Sequence, residues 1–387
     1  FKLQKQDSLR IAMRVGMNFA GEVWNYEPDK LITMRRISDG KMLIMDKAIP
    51  SGRSEGVKIS AGEEGTSMII FGSRAKTIVL QAKEFNSYLR DEGLRDILAL
   101  RTKKKELDKP ARELYARCAK TILQTGILTN DVPQYATGLE YELIPLTNPY
   151  DCFPGDTMAI AVLWRNKPIV NAFVQFWHRT KNEQGKDSVI KLQCRTDSLG
   201  NAVMRIPRAG AWLVGSVQMI PHTATKNFDY ESYWASLTFE IQERKPVALQ
   251  ASMVGFAVPE WFHKPFEAKR IVSGGRVQRE FVGSEMVFRK DSTLRNLAMQ
   301  ADSQRVAAEG RWKLLDNNTI LEMSITFFGM QSVGKYQILE CAPNRLKLWN
   351  YDSTERRGFV YYYTDYDVEA KDKFFLEFHK KRFGTKQ

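Results

Sequence analysis

Apolar and polar residues alternate along much of this chain with the period of a strand rather than that of a helix. The stretch Leu9-Arg10-Ile11-Ala12-Met13-Arg14-Val15 predicts a strand with one apolar face, followed by a turn at Asn18–Gly21. Further short strands are expected near Leu31–Arg35, Lys41–Met45, Gly56–Ile59, Ser67–Phe71 and Ile78–Leu80. Glycine-containing connections separate them, which suits a small antiparallel sheet or sandwich. Between residues 84 and 125 the period changes. Phe85, Leu89, Leu94, Ile97 and Leu98 have helical spacing, and a second stretch runs through Leu114, Ala119 and Ile122. Pro110 suits an early helical position and Gly126 a C-terminal stop, so two helices are predicted as an excursion from the first β domain.

Strand patterning resumes at Leu139–Leu143 and continues through Thr157–Trp164, Ala202–Ile206, Ala211–Val217 and Ala235–Ile241. Val170, Ala172, Val174 and Phe176 share one face at two-residue spacing, which predicts another strand there. Arg244, Pro246, Pro259 and Pro265 mark a connection. A last series of short strands then runs from Ser284–Phe288 to Phe359–Tyr363, with a hairpin over Lys335–Leu339 and Asn344–Leu348. The fold class expected is mainly β, in three domains. These are an N-terminal β domain over 1–137 with the helical excursion at 84–125, a β-sandwich over 138–248, and a small antiparallel barrel over 264–387 with Trp312 buried in its core.

Composition changes this picture little. The 387 residues carry 43% hydrophobic and 27% charged side chains, an ordinary globular balance. The net charge of +13 favours acidic partners in general. The basic run Arg101–Lys120 reads as a solvated helix face and loop, so nucleic-acid binding is not expected. No apolar run approaches the length of a membrane helix. The chain starts at Phe1 rather than Met, as a processed or incomplete sequence would. Cys118, Cys152, Cys194 and Cys341 lack the spacing of a zinc or redox site and leave the redox compartment open.

Candidate chemistry is sparse. Metalloprotease, phosphate-loop, dinucleotide and nucleophile-elbow motifs are all absent, so no catalytic residues are expected. His222, Asp229 and Glu231 form the one candidate metal set, an imidazole with two carboxylates that would suit a divalent transition metal if the loop folds back. Against it stands a solvent-facing His222 and a Glu231 paired with a nearby base. Glu140 and Glu142 read as a solvated strand face. Trp164, Trp177, Trp212 and Trp234 are candidate platforms for a glycan, at least two of them expected to fill the core.

Several separated blocks carry a family resemblance. Tyr88-Leu89-Arg90-Asp91-Glu92-Gly93-Leu94, Arg112–Lys120, Gly138-Leu139-Glu140, Asn148-Pro149-Tyr150, Trp212-Leu213-Val214 and Tyr230–Phe239 occur in order. Together they resemble the domain-of-unknown-function family 4198 over residues 7–241. Pro168–Ala172 and Thr196–Gly200 further resemble transthyretin-like or collagen-adhesin-B-like sandwich repeats. Residues 264–368, with Gly310-Arg311-Trp312, resemble small bacterial lipocalin-like domains. The first resemblance implies a bacterial cell-envelope protein, in some members near nickel or cobalt uptake, although the family's His-Asp-Phe-Trp type opening is absent here.

The function expected is therefore a non-enzymatic accessory or scaffold protein of the periplasm or outer membrane, making contacts within an envelope protein complex. Peripheral or lipid-anchored membrane association, as in a lipoprotein, fits that setting. One alternative is a periplasmic protein binding a metal or a small ligand. The other is a glycan-active enzyme.

Overall fold

The computed structural model describes residues 1–16, 19, 21–26, 31–38, 41–46, 52–53, 56–126, 129–181, 186–225 and 227–243. Further along it describes 266–271, 277–282, 284–288, 292–300, 303–327, 329–342, 345–350 and 358–362. The chain divides into two units, Phe1–Gln242 and a second beginning at Glu243. The connection expected around Pro246, Pro259 and Trp261, and the basic tail at His379–Arg382, lie outside the described residues.

The first unit is built on a ten-stranded sheet. Its path runs through Asp187–Arg195, Phe173–Lys181, Gly210–Pro221, Tyr230–Ile241, Ala111–Thr125, Gly65–Ser73, Leu31–Ser38 and Lys41–Ile44. One sheet thus crosses the position 137/138 at which two domains were expected to meet. The join is the parallel pairing of Ala111–Thr125 with Tyr230–Ile241, in register from Glu113↔Tyr230 to Thr121↔Thr238. A smaller sheet of Tyr141–Pro145, Thr157–Trp164, Lys167–Pro168 and Asn201–Arg205 covers one face. Met158, Ile160, Val162 and Met204 of the small sheet pack with Val174, Phe176, Trp212, Val214 and Leu237 of the large one in a single buried core. Such a core between two sheets is the defining feature of a sandwich.

Only the first half of the expected helical excursion is helical. Helix α1 spans Ala82–Asp91 and α2 spans Arg95–Lys103. The second stretch, through Leu114, Ala119 and Ile122, is instead the 15-residue strand Ala111–Thr125. Its residues are good helix formers, but hydrogen-bonded neighbours on both edges and packing on both faces decide the conformation.

The two helices cover part of the other face of the large sheet. Phe85, Leu89 and Ile97 form a buried cluster there with Ala111, Met219 and Tyr230. Next to it the N-terminal segments pack Trp24, Leu31, Met34 and Val57 against Ile69, Phe71 and Leu123. Helix α1 stops in a Schellman arrangement, with Leu94 N–H donating to Leu89 C=O and Gly93 N–H to Arg90 C=O. Gly93 takes φ +64°, and a Cβ there would sit 2.5 Å from the Phe173 ring. Glycine satisfies both demands at once.

The second unit corrects the expected architecture. Seven strands, from Ser284–Phe288 to Gly358–Tyr362, pair antiparallel in sequence order. The predicted hairpin is present as Met330–Ala342 paired with Arg345–Asn350. Among the described residues, however, the first strand pairs only with the second and the last only with the sixth. Over the described residues of 264–387 the sheet is open, so the expected lipocalin-like barrel is not found there. A barrel needs its terminal strands hydrogen-bonded to each other, and an open meander has the same sequential strand order without that bond. Trp312, expected in a closed core, is half-buried on Ser303–Leu315 opposite Met323.

Candidate functional site

Of the three residues expected to hold a metal, His222 and Glu231 meet, and the Asp229 carboxylate turns to Arg112. His222 Nδ1 lies 2.6 Å from Glu231 Oε1, as the folded-back loop required. The backbone N–H of Thr225 donates to His222 Nε2 at 3.2 Å. Because an amide can only donate, Nε2 is the acceptor nitrogen, and a neutral imidazole then carries its proton on Nδ1, facing Glu231. Neither nitrogen offers a free lone pair. Glu231 Oε2 accepts from the Tyr233 hydroxyl at 3.0 Å, and Asp229 instead grips Arg112 through both its oxygens. Among the described residues no group of three metal-ligating side chains assembles.

The other expected positions resolve individually. Glu142, read as solvated, is buried and ion-paired with Lys120, while Glu140 is exposed beside Arg165. Trp212 and Trp177 are buried, as expected for two of the four tryptophans. His178 stacks on Trp212 with ring centroids 4.8 Å apart.

The most chemically distinctive cluster lies on the face of the large sheet that the helices cover. Alternation along Ala111–Thr125 places Glu113, Tyr115 and Arg117 on that face. The parallel register sets Tyr115 beside Ser232 and Arg117 beside Trp234. Helix α1 adds Tyr88, whose ring stacks on Trp234 at 5.4 Å and 13°.

Glu113 gathers these groups. Trp234 Nε1–H donates to Ser232 Oγ at 3.2 Å, and the Ser232 hydroxyl donates to Glu113 Oε1. The Tyr88 hydroxyl donates to the same oxygen at 3.3 Å. Burial raises the Glu113 carboxyl above its ordinary pKa, opposed by these hydrogen bonds and by nearby Arg117. Burial, reinforced by the Glu113 charge, pushes the Tyr88 phenol well up. At the end of α1, Glu92 accepts from Gln175 Nε2 at 2.8 Å, and burial lifts its carboxyl to about 6.

Arg117 differs from its neighbours. Its guanidinium lies over Tyr115 at 5.5 Å and over Trp234 at 5.7 Å. The residue is half-buried, and burial lowers its pKa. Its backbone N–H donates to Ser73 Oγ, but its side-chain N–H groups meet no acceptor among the described residues. By contrast, Arg36, Arg101, Arg112, Arg165 and Arg195 all donate to oxygens. No Arg117 nitrogen is among the buried unpaired polar atoms of the described residues, so these donors face solvent and are available to a ligand. Sequence reading missed the part played by Arg117 because it placed that residue on a helix. The two-residue repeat of Glu113, Tyr115 and Arg117 was the available signal.

The family model described as a domain of unknown function (DUF4198) matches residues 6–219. No curated protein matches the sequence. Among solved structures, a marsupial T cell receptor aligns at 7% identity over 87% of this chain and 97% of that one, with a TM-score of 0.16. An Escherichia coli alpha-2-macroglobulin activated by porcine elastase aligns at 8% identity over 93% of this chain and 42% of that one, also at 0.16. Neither alignment bears on the fold or the function.

Proposed function

The chain belongs to the DUF4198 family, and from the geometry of its first unit we propose that it is a binding protein for a small ligand, seated at Arg117 between Tyr115 and Trp234. The observation that carries this reading is the half-buried guanidinium with aromatic rings beside it and no side-chain acceptor among the described residues. Cation–π contact holds such a side chain in place, and its N–H groups remain donors for an incoming group. Glu113, Ser232 and Tyr88 hold Trp234 in place by hydrogen bonding and stacking, so that wall of the site exists before the ligand arrives. The small-ligand alternative from the sequence is thereby preferred to a scaffold that makes protein contacts alone.

Thermal unfolding of the full chain against a panel of small acids, sugars and amines tests the reading. A compound that raises Tm in the parent protein, but not in Arg117→Gln, supports it. Equal responses in both proteins, or no response to any compound, count against it.

A further inference from the structure

The corner between the two helices is held to the large sheet differently from the helices themselves. Helix α1 ends at Asp91, and the chain turns through Glu92, Gly93 and Leu94 into α2. Three contacts seat this corner on the strands Phe173–Lys181 and Asp187–Arg195. Gln175 Nε2–H donates to Glu92 Oε2 at 2.8 Å, with both residues buried. Arg195 Nη2–H donates to the Gly93 carbonyl at 2.8 Å, and the Phe173 ring lies against the Gly93 backbone. Of these groups only Glu92 titrates in the range of about pH 4 to 8. We propose that the corner is a proton-operated latch: Glu92 holds it closed on Gln175 while protonated and releases it to water once ionised. The latch does not depend on a ligand at Arg117.

The bodies of the helices are held by Phe85, Leu89 and Ile97 against Ala111, Met219 and Tyr230, a buried cluster without a carboxylate. At the corner, burial dominates and lifts the Glu92 carboxyl to about 6, with Asp91 of α1 adding to the rise. Lys191 and the Gln175 hydrogen bond favour the ionised form but do not outweigh burial. Lys191 is exposed, its ammonium 5.9 Å over the Trp177 ring, so water screens its attraction. The remaining charges nearby are Arg195 and, acting on it from α2, Arg95 and Asp96. Ionisation therefore leaves a charge inside the closed corner that opening returns to water. Such a local opening costs less than unfolding the sheet, and helices of 10 and 9 residues fray once lifted off their packing. The latch is shut below pH 4.5 and loosens as pH rises through about 6, opening being favoured by up to about thirtyfold. One turn before Glu92, Tyr88 stacks on Trp234, so loosening of the corner reaches that cluster too.

Hydrogen exchange of the full chain, followed by mass spectrometry from pH 5 to 8 and divided by the intrinsic rate at each pH, tests the latch. Peptides over residues 90–97 should be less protected than the core strand Gly65–Ser73, and should lose about tenfold of their protection across that range. Glu92→Gln keeps an acceptor for Gln175 without a charge and should hold the protection of 90–97 level. Lys191→Gln removes the counter-charge at an exposed position and should move the loss to higher pH, which decides the matter if Glu92→Gln fails to fold. Protection at 90–97 equal to that of Gly65–Ser73 would mean that the corner opens only with the whole unit, and overturns the latch. So does a parent profile that is flat with pH, or one that neither substitution changes.

Discussion

Lys120 and Glu142 form an ion pair closed to water on both sides, with Nζ 2.5 Å from Oε2 and each side chain 1% exposed. Lys120 belongs to the large sheet and Glu142 to the small one, so the pair ties the two layers of the sandwich together. Glu142 also accepts from the backbone N–H of Thr137, at 2.8 Å to Oε2. Replacing Lys120 by Met strands a buried carboxylate and should cost about 3–5 kcal/mol. Adding Glu142→Gln to that variant neutralises the stranded charge, keeps an acceptor for Thr137 and should recover much of the loss. Urea unfolding of the parent, single and double variants measures both steps. A single variant as stable as the parent would contradict the structural role given to the pair.

Gly93 bears two constraints, and a second glycine allows them to be separated. Gly93 combines φ +64° with a Phe173 ring 2.5 Å from where a Cβ would stand, whereas Gly329 has φ +79° and nothing within 4 Å. Gly329→Ala should therefore cost only the left-handed backbone penalty, about 1–2 kcal/mol. Gly93→Ala adds displacement of Phe173 and should cost roughly 1–3 kcal/mol more. Chemical denaturation followed separately for the two units gives the comparison. Equal costs would mean that the close approach of α1 to Phe173 contributes nothing.

Glu92 makes the first unit's stability depend on pH in an unusual direction for a carboxylate. Burial raises its folded-state pKa from 4.5 to about 6, with Asp91 adding to the rise and Lys191 and Gln175 opposing it. The neutral form is thus favoured by folding. Its contribution is fully present below pH 4.5 and is lost as pH rises through about 6, amounting to about 2 kcal/mol. Glu113 acts in the same direction. Glu92→Gln should flatten the fall in stability across this window without abolishing the share due to Glu113. A parent protein whose stability rises steadily from pH 4.5 to 7, unchanged in slope by the substitution, would contradict this account.

The sheet-rich character of the chain and the position of α1 were legible in the patterning of Thr157–Trp164 and in the spacing of Phe85 and Leu89, whereas Leu9–Val15 is two short strands, Ser8–Ile11 and Arg14–Val15. Two longer-range features were not. Ala111–Thr125 is rich in Ala, Arg, Glu and Leu, whose local preference is helical. Its strand state comes from Gly65–Ser73 on one edge and Tyr230–Ile241, more than a hundred residues later, on the other. Barrel closure in the second unit depends on pairing between Ser284–Phe288 and Gly358–Tyr362, which spacing within each strand does not encode.

The same limit governs the sites. His222 and Glu231 are close in sequence and do meet, but Asp229 was removed from the set by Arg112, 117 residues away. Arg117 and Trp234 lie as far apart in sequence, and only the parallel register brings them side by side.

The most direct test of the central claim observes Arg117 itself. In a spectrum of 15N-labelled protein titrated with a compound that raises Tm, the Arg117 Nε–H and Trp234 Nε1–H signals can be assigned by comparison with Arg117→Lys and Trp234→Phe. Ligand binding at this cluster predicts that both signals shift together and saturate at one concentration, with the Arg117 signal moving downfield as it gains an acceptor. Saturable binding that leaves both signals in place while others move would contradict it.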